Sequence, residues 1–161
     1  TSQLRPGSED VVTLNLELQK LGPTLIDLES VDVFHTSPLP TKSFDAVREL
    51  PVDYWVQTAT PDLILGIFKD SQDNDYIMVN NREIDGSRQS VLSFPQDVTN
   101  VAAFDKRDGL WIDLPLTTLE NRALVEFILA PGDGELLKVV PEPATLGLLL
   151  MGGLVLLRRR R

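Results

Sequence analysis

The residues able to do chemistry in this 161-residue chain are few and poorly spaced for catalysis. His35 is the single histidine and cysteine is absent. A nucleophile–histidine–carboxylate triad or a zinc centre therefore lacks partners. With Phe34 and Thr36 beside it, His35 reads as a packed connector residue. Asp73 with Asp75, and Asp105 with Asp108, are paired carboxylates, but they stand among turn residues and read as solvated. The loop from Ser71 to Tyr76 gathers oxygen ligands suited to calcium, yet lacks the glycine and distal glutamate of an EF-hand loop. Trp55 and Trp111, with Tyr54 and Tyr76, offer a possible sugar-stacking face. Aromatics in alternating strands are more often core. No catalytic residue, metal or cofactor is assigned.

The most specific chemistry is done to the chain rather than by it. Val140-Pro141-Glu142-Pro143 leads into an uncharged apolar run, Ala144 to Leu157, and then into Arg158, Arg159, Arg160 and Arg161. As a helix that 14-residue run is roughly 21 Å long, short of a hydrocarbon core of about 30 Å. Snorkelling arginines and local thinning of the bilayer make up the difference. The arginines favour the cytoplasmic side and leave the acidic body outside. Pro141 and Pro143 cannot continue a helix out of the membrane. They hold the segment extended at its surface, where a membrane-embedded peptidase can reach it. A buried C-terminal helix is the competing reading. Four consecutive arginines, together with Gly147, Gly152 and Gly153, argue against it.

Elements upstream must carry this tail. Residues 8–21 read as a helix. Val11, Leu14, Leu18 and Leu21 form one apolar flank, and Val12 and Leu16 a second. Ser8 can cap it, Glu9 and Asp10 suit its positive end, and Gly22-Pro23 stop it. Packing on both flanks is expected. Residues 30–51, with Pro38, Pro40 and Pro51, read as a connector. Strands are expected near 52–58, 63–69, 75–81, 88–94, 100–105, 110–114, 122–129 and 135–140. Turn signals at Asp85-Gly86, Asp108-Gly109 and Gly132-Asp133-Gly134 separate several of them.

The predicted fold is mainly β: an antiparallel β-sandwich preceded by one helix and followed by a short C-terminal transmembrane helix. The divisions are 1–29, a helix and remnant of an upstream domain; 30–51, connector; 52–140, sandwich; and 141–161, tail. The chain begins at Thr1 with no basic-then-apolar leader, which reads either as a processed N-terminus or, favoured by the tail, as the C-terminal part of a longer protein.

Composition narrows the partners. The net charge is -9, and the largest positive block is the four terminal arginines, so the body is more acidic still. Such a body repels phosphate backbones, which argues against nucleic-acid binding. Missing cysteine fits an exported protein without requiring export.

The tail resembles the PEP-CTERM sorting signal, whose parts are a Pro-Glu-Pro motif, an apolar helix and an arginine cluster in that order. The resemblance implies recognition by an exosortase at the Pro-Glu-Pro step and a transient stay in the inner membrane. Delivery then follows to the envelope or extracellular matrix of a biofilm- or exopolysaccharide-producing Gram-negative bacterium. Asn15 to Thr36 is similar to the end of the catalytic barrel in bacterial glycoside-hydrolase-like proteins, where a last helix leads into a connector, and Asp75 to Glu83 and Leu124 to Val139 resemble the β-sandwich that follows such barrels. That resemblance implies a non-catalytic module whose paired carboxylates lie upstream on barrel strands. The alternative is a stand-alone biofilm-matrix or adhesion protein whose sandwich binds polysaccharide.

Overall fold

The computed structural model describes residues 8–40 and 47–141. One helix, α1 (Ser8–Ile26), precedes nine strands: β1 (Glu29–His35), β2 (Leu63–Lys69), β3 (Asp75–Asn81), β4 (Arg88–Pro95), β5 (Val98–Asp105), β6 (Leu110–Asp113), β7 (Leu116–Leu119), β8 (Arg122–Leu129) and β9 (Gly134–Pro141). The strands form two sheets. Six are ordered β1-β2-β3-β9-β5-β6 and three are ordered β4-β8-β7. Every strand pair is antiparallel.

Period-two alternation sets the core. Leu65 and Ile67 of β2, Ile77 and Val79 of β3, Val101 of β5, and Leu137 and Val139 of β9 point from the large sheet to the small one. Leu92 and Phe94 of β4, with Ala123, Val125 and Leu129 of β8, meet them. The opposite face of the large sheet is also apolar at its centre. There Tyr76, Phe104 and Leu136 receive Leu21, Leu25 and Leu28 from α1 and the residues just after it. The molecule thus has three layers, with the six-stranded sheet in the middle.

Turn chemistry fixes the registers. The β7–β8 hairpin closes on Glu120 and Asn121, at φ 48° and 63°, the pair of left-handed residues that a two-residue primed turn requires. At the start of β9, a Cβ on Gly134 would lie 2.2 Å from Asn80 Oδ1, so a larger residue there would displace the Asn80 side chain.

Several expectations need correction. The helix does not stop at Gly22-Pro23 but runs to Ile26 with Pro23 inside it. Pro23 lies on the exposed side, while Leu21, Leu25 and Leu28 dock on the sheet, so tertiary burial outweighs the local breaker. Nor does α1 pack on both flanks. Val11, Val12, Leu14, Leu16 and Leu18 are all more than half exposed.

The stretch 52–58 is a turn rather than a strand. Gln57 donates through Nε2 to the carbonyls of Pro51 and Tyr54, folding the segment back on itself. Only Gln57 bridges to Ser93. The stretch read as connector from residue 30 opens instead with β1, whose Phe34 is buried. β7 was not anticipated. No described helix is long and apolar enough to cross a membrane. The expected transmembrane segment lies outside the described residues.

Candidate functional site

The site begins where β9 ends. Val139 pairs with Asp75 of β3 on one side and Val101 of β5 on the other, and is 1% exposed. One residue further, β3 has turned away. Val140 pairs only with Asn100, and Pro141 only with Val98, across a register shift between Val98 and Asn100. Thr99 Oγ1 donates to the Val140 carbonyl at 3.4 Å. A proline is tolerated at this end because no N–H is required of it.

Residues 139–161 match the PEP-CTERM protein-sorting motif. The chain therefore carries a sorting motif whose first three residues are the last three of a sheet strand. No curated protein matches the chain. Of the residues read as a processing motif, Val140 and Pro141 are in β9, while Glu142 and Pro143 lie outside the described residues, as do the orienting Arg158, Arg159, Arg160 and Arg161.

The four aromatics considered for sugar stacking fall into two separate groups. Trp55 lies against the main core, with ring centroids 6.1 Å from both Tyr54 and Phe94. Trp111, on β6, lies on the outer face beside α1, 5.8 Å from Tyr76 and 5.2 Å from Phe104. One continuous stacking face is not formed. Trp111 alone is substantially open, at 36% exposure.

His35 ends β1, with Nδ1 3.4 Å from Arg82 Nη1. Burial and then the nearby guanidinium hold its pKa below the ordinary value. Arg82 also bonds Asp62, which accepts from Arg88 as well. This is a polar brace between loops. Asp73 and Asp75 share Lys69, at 2.6 and 3.7 Å. Asp105 accepts the backbone N–H groups of Arg107 and Asp108, as a turn residue does. Just before the oxygen-rich loop Ser71–Tyr76, Asp70 accepts from that loop's backbone N–H groups of Gln72 and Asn74, from the Asn74 amide and from the Tyr76 hydroxyl. Desolvation opposes ionisation of Asp70, but these bonds outweigh it and hold its pKa at about 2. Among the described residues, no three His, Cys, Asp or Glu are placed to hold a metal ion.

One charged group was missed by sequence reasoning. Glu135 lines a cavity of about 360 Å³ with Glu17, Asp105, Lys106 and Asp133 over apolar walls that include Ala103, Leu114 and Phe127. Burial is the main cause raising its pKa to about 7. Lys106 opposes the shift, while Asp133, Asp105 and Glu17 add to it. A signal was available: Glu135 has the same strand parity as Leu137 and Val139, so it is a carboxyl at an inward-facing position.

Proposed function

We propose that this chain is an exported, envelope-directed protein whose C-terminal motif is engaged and trimmed by an exosortase, and that the sandwich is its non-catalytic cargo. The sorting motif over residues 139–161 supports this reading. Val140, Pro141, Glu142 and Pro143 present the processing step, the apolar run sits transiently in the inner membrane, and Arg158–Arg161 set its orientation. Replacing Pro141 and Pro143 with alanine slows C-terminal trimming in an exosortase-bearing host. Unchanged trimming would sink the assignment.

The finer reading makes the sandwich the module that follows a glycoside-hydrolase-like barrel. It is supported by the three stretches already quoted and by no curated relative. An upstream reading frame of about 300 residues of alternating strands and helices is the expected observation. A signal peptide directly before Thr1 would exclude it.

A second reading, a stand-alone matrix or adhesion protein that holds polysaccharide, is favoured by Trp111, which is open on an edge strand beside Tyr76. Loss of polysaccharide retention in Trp111→Ala, with the fold intact, would support it.

A further inference from the structure

We propose that the end of β9 is a clamp on the sorting motif: an exosortase engages the motif only after Val140 and Pro141 leave β5, and Val139 stops the release there. The inference rests on the exosortase reading above and concerns how that processing is regulated.

The motif has no linker. Two residues, Glu142 and Pro143, separate the sheet from the apolar run that starts at Ala144. Fully extended, the three steps from Pro141 to Ala144 span roughly 10 Å, at about 3.3–3.6 Å per residue. With Ala144 at the bilayer surface, the end of the sandwich rests almost on the membrane. A peptidase that reads an extended chain needs the backbone groups of that chain free to pair with its own cleft. On the motif's leading residues, those groups face β5.

Two energies set where the release stops. Val140 and Pro141 are held from one side only, past an irregularity in the register, and Pro141 has no N–H to bond. Their release exposes little, since Val140 is already partly exposed and Pro141 is exposed. Val139 is different. It is paired on both sides and packs in the main core at 1% exposure. Pulling it out breaks two ladders and opens the core. The sandwich therefore yields two residues and stays folded.

The test is a pulse–chase of the full chain in an exosortase-bearing host, resolving precursor from trimmed protein. One variant inserts Gly-Ser-Gly-Ser between Val139 and Val140, which moves the intact Pro-Glu-Pro step off the sheet. A second, Thr99→Gly with Asn100→Gly, loosens the β5 side and leaves the motif untouched. Resistance of the body to added protease checks that both variants are folded. Trimming is expected to accelerate by about tenfold with the insertion, the factor that one or two net backbone hydrogen bonds correspond to, and less with the glycine pair. Trimming of the glycine pair at the unaltered rate or slower overturns the clamp. Absence of trimming in the unaltered chain defeats the exosortase reading, and the clamp with it.

Discussion

Glu135 of β9 and Glu17 of α1 line the same cavity, one on the central strand of the six-stranded sheet and the other on the helix that covers it. Lys106, whose charge opposes the shift at Glu135, is already engaged with Asp133 at 2.6 Å. Ionising Glu135 therefore adds a negative charge to a site that holds Glu17, Asp105 and Asp133, with Lys106 and Arg107 as the opposing charges.

A pH dependence follows from that arrangement. The pKa of Glu135 is raised from 4.5 to about 7 in the folded chain. Its favourable contribution is complete below 4.5, is lost as pH rises toward 7, and changes no further above that. Urea unfolding of the chain between pH 5 and pH 8 should show a loss of stability that Glu135→Gln removes. Asp70 has the opposite sign. Its pKa is lowered from 3.8 to about 2, so its contribution is present above 3.8 and lost as pH falls toward 2. The two windows do not overlap. A wild-type profile from pH 5 to pH 8 identical to that of Glu135→Gln would rule out the assignment to Glu135.

Asp62 should be a point of structural sensitivity although it is not itself a member of the hydrophobic core. It accepts from Arg82 at 2.9 Å and Arg88 at 3.2 Å, and its own φ is 58°. All three side chains are only 21–26% exposed. Asp62→Asn keeps a residue that tolerates positive φ while removing the charge, so it isolates the ionic part. A loss of about 1–3 kcal/mol is expected by urea unfolding monitored through tryptophan fluorescence. Asp97→Asn, at an exposed turn, should stay within about 0.5 kcal/mol. Equal effects from the two would show that the brace contributes nothing specific.

How much of this could be read from residues alone depended on whether local pattern and tertiary context agreed. The bounds of β2 and β3 coincide with the expected 63–69 and 75–81, because apolar runs there are bracketed by turn residues and lie centrally in the sheet. β1 was hidden because Glu29, Ser30 and Asp32 resemble loop composition, and β7 because Leu116–Leu119 is four residues long and mostly exposed. Residues 52–58 misled in the other direction. Val52, Tyr54 and Val56 alternate like a strand, but side-chain bonds from Gln57 close the segment into a turn. For the site, the order of proline step, apolar run and arginines was legible, since it is written in consecutive residues. That its leading residues are held by β5, some forty positions earlier, is a fact of topology and has no local signature.

The helix should behave as a separate, weaker unit. α1 is seated through Leu21 and Leu25, with Leu28 just beyond it, and its first half carries exposed Val11, Val12, Leu14, Leu16 and Leu18. An isolated helix of this length is marginal in water without tertiary support. Amides of α1 are expected to exchange with deuterium well before those of β9, which has a strand on each side. Leu21→Ala should speed exchange in α1 and leave β9 protected. A matching loss of protection in β9 would mean that helix and sandwich unfold as one.

Charge at the far end of the chain should govern topology rather than fold. Arg158–Arg161 follow a 14-residue apolar run, and in the proposed membrane-anchored state their side chains would both extend its reach and fix its direction. Replacing all four with glutamine removes both effects. It leaves residues 8–141, which contain the whole described sandwich, untouched. Untrimmed protein should then shift out of the membrane fraction, or become accessible to protease from the wrong side. Its unfolding midpoint should remain unchanged. If fractionation and accessibility match the unaltered chain, the arginines do not orient the segment, and the apolar run with its Pro-Glu-Pro step must suffice for retention.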